Sequence, residues 1–144
     1  MVNVHDVAAY ILKKQGQMSA MKLQKLLYYC QAWSLVWDEK PLFKARIEAW
    51  ANGPVVRAVY NCYKGSFTVA APKLGDSSTL NHAQRDTVDA VLEAYGGKTA
   101  QWLIQLTHRE KPWLDARVGL APGEAGNQEI TLDAMAEYYS GLIQ

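Results

Sequence analysis

The sequence predicts a mainly α-helical fold: a single compact domain of six or seven helices carrying a small two- or three-stranded antiparallel β element. Three observations lead there. Apolar residues recur at helical spacing in most of the chain, residue types that cap helices stand just ahead of those runs, and one short stretch alternates with a period of two. A chain of 144 residues with 49% hydrophobic content is long enough to bury a core without staples.

Taking the elements in order, Asn3 caps a first helix whose apolar face is Val7, Ala8, Ile11 and Leu12, with Gly16 as its stop. Ser19 is the N-cap of a second helix, and Met18 stands where it can staple onto Leu23. Leu23, Leu26, Leu27, Tyr29, Cys30, Trp33, Val36 and Trp37 then cover about half of that helix's circumference, wider than the usual surface stripe. The second helix is therefore expected at the centre of the fold.

Pro41 closes that region, after which Phe43, Ala45, Ile47 and Ala49 alternate with Lys44, Arg46, Glu48 and Trp50 as a half-buried strand. A short strand at Phe67 to Val69 is its expected partner. Between them, ANGPVVRAVYNCYKG (51–65) reads as a third helix, with Gly53 before it, Pro54 at its first position and Gly65 at its end. Asn81 and Gln84 form a capping pair for a fourth helix through Val88, Val91, Leu92 and Tyr95. Thr99 caps a fifth through Trp102, Leu103 and Leu106, which Pro112 breaks near Lys111. A sixth short turn carries Trp113. Gly119 to Gln128 is a loop, and Thr131 caps the last helix through Met135, Tyr138, Tyr139 and Leu142.

Fifteen Lys plus Arg against fourteen Asp plus Glu leave a formal charge of +1, which creates no field for phosphate backbones or anionic lipid. The amino terminus lacks a signal-peptide layout, and no apolar run reaches the length of a membrane span. Cys30 and Cys62 show no CxxC spacing and fall on apolar helical faces, as reduced, buried thiols do. The chain is expected to be cytoplasmic, with no membrane partner.

The densest chemistry lies in LTHREKPWLDAR (106–117). His108 and Glu110 look like an acid/base or metal-ligand pair, yet residues two apart on a helix diverge by about 200°. Pro112 separates His108 from Asp115. His5 and His82 follow no ligand spacing, no GxSxG elbow is present, and the glycines of 119–126 form no phosphate-binding pattern. The reading is no catalysis, no metal and no cofactor, with His108 as a structural ring bonded to a backbone carbonyl. A small hydrolase using His108 is one alternative. Another is a helix-turn-helix DNA-binding regulator built from the first two helices, with Lys22, Gln24, Lys25 and Gln31 as the polar face; nucleic acid is not the expected partner.

Four blocks, KLQKLLYYCQAW (22–33), PLFKARIEAWANGPVVRAVY (41–60), LTHREKPW (106–113) and ITLDAMAEYY (130–139), resemble the Panacea domain family, also called SocA-like or phage-associated. The resemblance runs from about residue 5 to residue 140. Two positions depart from it: Asn52 stands where an aromatic residue is expected, and Cys30 replaces a small one. What the resemblance implies is an antitoxin of a bacterial or prophage toxin–antitoxin pair, neutralising a cognate protein toxin encoded by an adjacent gene through direct contact. Some members of the family hand the toxin to a protease as adaptors. Five Trp and eight Tyr suit an interface. The expected partner-binding residues are Trp50, Asn52, Gly53, Pro54 and Arg57, supported by His108 and Trp113.

Overall fold

The computed structural model describes residues 1–143. Its elements are α1 (Val4–Gln15), β1 (Met18–Ser19), α2 (Ala20–Trp37), β2 (Ile47–Trp50), β3 (Gly53–Val56), α3 (Arg57–Tyr63), β4 (Thr68–Val69), a 3-10 turn (Ser77–Thr79), α4 (His82–Tyr95), α5 (Ala100–Arg109), α6 (Lys111–Ala116) and α7 (Leu132–Gly141). The described residues thus form seven α-helices and two small antiparallel sheets. None of these helices is long and apolar enough to cross a membrane.

The expected caps are in place. Side chains of Asn3, Ser19, Asn81, Thr99 and Thr131 each accept a backbone N–H in the first turn of their helix, and Asn81 and Gln84 complete a reciprocal capping box. Each such cap is worth about 1 kcal/mol. α5 ends at Arg109 and α6 begins at Lys111, with Pro112 in its first turn, so the chain turns where the proline ring forbids a continuous ladder.

α2 is the axis. Every residue from Leu23 to Ser34 is buried, and α1, α3, α4, α5, α7 and β3 all pack against it. A helix buried all round must satisfy its polar side chains internally. Gln31 does so by donating to the Phe43 carbonyl at 2.8 Å and accepting from the Leu42 and Phe43 amides, while Ser34 donates to the Lys40 carbonyl. These bonds fasten the return segment after α2. The outer end differs from expectation: Trp37 is 46% exposed and stacks on Trp33, because the last turn of α2 runs past the packed core.

The β element also departs from the sequence reading. The strand begins at Ile47 rather than Phe43, and it pairs with Gly53–Val56, in the register Ile47↔Val56 to Trp50↔Gly53. Gly53-Pro54 is thus the return of a hairpin turning at Ala51 and Asn52, and the helix starts only at Arg57. Proline is tolerated because β3 is an edge strand. Thr68–Val69 pairs instead with Met18–Ser19. The far side of β2 is joined by residues 128–130, where the Ala49 amide donates to the Gln128 carbonyl and the Ile130 amide to the Ile47 carbonyl.

Candidate partner-binding site

The hairpin and the α5–α6 turn meet. Trp113 donates its indole N–H to the Trp50 carbonyl at 2.8 Å, and Arg117 donates to the Ala49 carbonyl at 2.9 Å with its guanidinium over the Trp113 ring. The His108 ring stacks on Trp113, with centroids 4.1 Å apart and planes 17° from parallel. Burial lowers the His108 pKa, the Lys25 and Arg117 charges add to that, and a hydrogen bond to the Ala51 backbone works against it. Its Nε2 is buried without a partner. The ring is therefore neutral near pH 7 and serves as a flat support under the hairpin.

Beneath β3 lies Lys25, fully buried on α2, donating from Nζ to the Pro54 carbonyl at 3.0 Å. Desolvation pushes its pKa down to about 7. Gly53 passes directly over it with φ +109°; a Cβ there would sit 2.6 Å from Lys25 Cε and 3.0 Å from Thr107 Oγ1. Beside Lys25 on α2, the Gln24 amide accepts from the Val56 N–H at 2.7 Å and donates to the Val56 carbonyl at 3.2 Å. α2 thus supplies side chains where β3 would otherwise seek another strand.

Glu110 stands in extended backbone between α5 and α6, and its bonding partners differ from those of His108. It is buried and accepts hydroxyl protons from Tyr29 at 2.6 Å and Tyr139 at 2.8 Å, while Tyr139 also lies 3.0 Å from the Tyr28 hydroxyl. Burial raises the Glu110 pKa, against the opposing effect of the two tyrosine hydrogen bonds. Sequence reasoning missed this role. The signal was available: two Tyr-Tyr pairs on apolar helix faces need buried acceptors, and Glu110 is a carboxylate in the turn between them.

On its outer side the hairpin borders a groove of about 780 Å³, lined by the start of α2, the β2–β3 turn, α3 and the loop at 125–127. Trp50, Asn52 and Arg57 line it. Gly53 and Pro54 are buried in β3, Trp113 is buried beneath Trp50, and His108 is half-buried there, so these four hold the hairpin rather than face outward. Arg57 lies over the Trp50 ring and binds Glu48 at 2.9 Å; Trp50 donates its indole N–H to the same carboxylate. Burial alone would raise the Glu48 pKa, but the hydrogen bonds from Arg57 and Trp50 and the Arg57 charge outweigh it and hold the carboxyl below its ordinary value. Sequence reasoning did not single out Phe67, 83% exposed at the rim.

The polar face required by a helix-turn-helix is not available on α2. Gln24, Lys25 and Gln31 are buried, and Lys22 donates to the Gly96 carbonyl at 2.7 Å. Cys30 is fully buried, which pushes its thiol pKa up, and Cys62 is half-buried; neither is in a disulfide. Among the described residues, no three His, Cys, Asp or Glu side chains gather as a metal site would need.

The sequence profile of the family described as "Antitoxin SocA-like, Panacea domain" matches residues 23–114, more than half of the chain. The chain belongs to this antitoxin family. The matched segment runs from the first turn of α2 through the hairpin, α3, α4 and α5 into α6. The chain is similar to Antitoxin SocA of Caulobacter vibrioides (strain NA1000 / CB15N), at 36% identity over 69 residues. That alignment covers 45% of this chain and 37% of the relative, so the chain spans little more than a third of that protein's length. No solved structure matches the chain.

Proposed function

We propose that this protein is an antitoxin that neutralises a cognate protein toxin, encoded by an adjacent gene, by direct binding in the cytoplasm. Residues 1–144 act as one Panacea-type domain, by contact and not by catalysis. The observation that carries this reading is the groove beside the hairpin, where Trp50, Asn52 and Arg57 present an aromatic and polar surface braced from below by Trp113 and His108. Tryptophan and arginine on a rigid support are the residue types that dominate protein interfaces.

Co-expression with the neighbouring gene product tests it. Growth rescue and co-purification of the two chains are expected; a toxic neighbour that is neither rescued nor bound refutes the reading. Following toxin abundance in the same cells separates two modes. Rescue at constant toxin level means blocking, whereas rescue with protease-dependent toxin loss means delivery for degradation.

A further inference from the structure

We infer that the groove beside the hairpin takes an amphipathic helical segment of the toxin, apolar on its inner face and acidic at its edge, and not an added β-strand. This rests on the antitoxin reading and goes on to the chemistry of the contact.

The groove's lining is apolar at its floor, where Leu23, Val55 and Val59 are buried, and aromatic at its wall. Tyr60 is 40% exposed and packs edge-on against Trp50, and Phe67 stands 83% exposed. An aromatic ring left in water beside an apolar trough is the arrangement expected of an interface anchor.

Charge specifies the edge. The lining holds Arg57 and Lys64 and no carboxylate. The Glu48 carboxylate just outside it is shared by Arg57 and Arg46, and Arg46 also pairs with Glu129, so these two guanidinium groups and two carboxylates balance. Lys64 makes no ion pair among the described residues. A segment entering here meets the Lys64 ammonium group and is favoured when it carries Asp or Glu.

Backbone bonding excludes the strand. Strand addition needs free N–H and C=O groups along an edge. On β3 the Val56 N–H and carbonyl are both taken by Gln24, Pro54 has no N–H, and its carbonyl is taken by Lys25. Across the groove, the Ser66 N–H bonds the Tyr63 carbonyl and the Phe67 carbonyl accepts from Ala20. What remains is recognition by side chains. A helix, whose backbone bonds are internal, supplies that by laying apolar residues at i, i+3 or i+4, and i+7 into a trough.

The test uses the full chain and the adjacent gene product. Fifteen-residue peptides tiling that toxin are titrated against the antitoxin by fluorescence anisotropy, with circular dichroism on the bound peptide. The expected binder has the stated spacing and a flanking carboxylate, gains helicity on binding, and loses binding when a central residue becomes proline. With intact toxin, Phe67→Asp and Lys64→Glu each weaken binding at least tenfold, Trp102→Ala on the exposed face of α5 does not, and reversing the toxin carboxylate to Lys restores binding to Lys64→Glu. Toxin that binds both groove variants with unchanged affinity overturns the inference while leaving the antitoxin reading intact. So does a binding peptide that is extended or indifferent to proline. Groove variants that abolish self-association by light scattering but spare toxin binding overturn it as well, and assign the groove to a second copy of the chain. A neighbour that is neither bound nor rescued removes both readings together.

Discussion

The indole N–H of Trp113 donates to the carbonyl of Trp50, joining two turns that lie 63 residues apart. This bond and the His108 ring stacked against Trp113 set the height of the hairpin over α5 and α6. Trp113→Phe keeps an aromatic ring but leaves the Trp50 carbonyl without its partner, at a cost of about 1–3 kcal/mol. His108→Ala removes the stacking surface, with a loss of about 1–3 kcal/mol. Both are read by chemical denaturation. If His108→Ala keeps full stability yet loses antitoxin activity, the ring has a role other than support.

Glu110→Gln tests the buried carboxyl. Folding raises the Glu110 pKa, so between its unfolded value near pH 4.3 and its higher folded value the native chain binds more protons than the unfolded one. Stability from this group is thus fully present in acid and is lost as pH rises through the folded pKa. The amide introduced by Glu110→Gln retains an acceptor for Tyr29 and Tyr139 and cannot ionise. The melting temperature of this variant should fall less than that of the parent as pH is raised from about 4.3. Parallel curves for the two proteins would show that Glu110 does not titrate in this window.

Gly53→Ala should destabilise by more than about 2 kcal/mol, the combined cost of a positive φ and of a Cβ driven into Lys25. Lys25 cannot step aside without giving up the Pro54 carbonyl. Thermal unfolding of the variant is the measurement, and an unchanged midpoint would mean the hairpin shifts freely.

Lys25→Met probes the same contact by pH. The folded amine loses its proton near pH 7, whereas the unfolded one holds it to about pH 10.4. Between those values the unfolded chain binds more protons, so the parent gains stability as pH rises and Lys25→Met does not share that gain. Urea midpoints at about pH 7 and about pH 9.5, both inside that window, compare the two slopes.

Gln24→Leu removes both partners of Val56 and should cost about 2–4 kcal/mol through two unpaired buried backbone groups. It also frees the β3 edge. Concentration-dependent self-association of this variant, followed by light scattering, is expected and would not be seen with Gly53→Ala.

Much of the fold was legible because helix ends are local chemistry. Asn3, Ser19, Asn81, Thr99 and Thr131 announce their helices by a side-chain oxygen in the right place. Gly53-Pro54 misled because the same dipeptide suits a helix start and an edge strand; Gln24 and Lys25, some thirty residues away, decide between them. Of the residues expected to meet a partner, Trp50, Asn52 and Arg57 line the groove, whereas Gly53, Pro54 and Trp113 are buried, a difference set by packing that local sequence does not carry. Burial of Lys25 and Glu110 was not readable from composition, because polar residues normally signal solvent and only long-range packing reverses that expectation.

The bonds that hold the hairpin against the helices are made on its inner side, by Gln24, Lys25, His108, Trp113 and Arg117. The side chains of Lys64 and Phe67 on the outer side make none of those bonds and stand open to solvent, and Tyr60 is 40% exposed against Trp50. If the proposed groove is the contact surface, recognition and foldedness are separable here. On the proposed reading, a few exchanges along the rim re-aim the molecule at a different target while the inner bonds stay untouched, much as a tool handle accepts another bit.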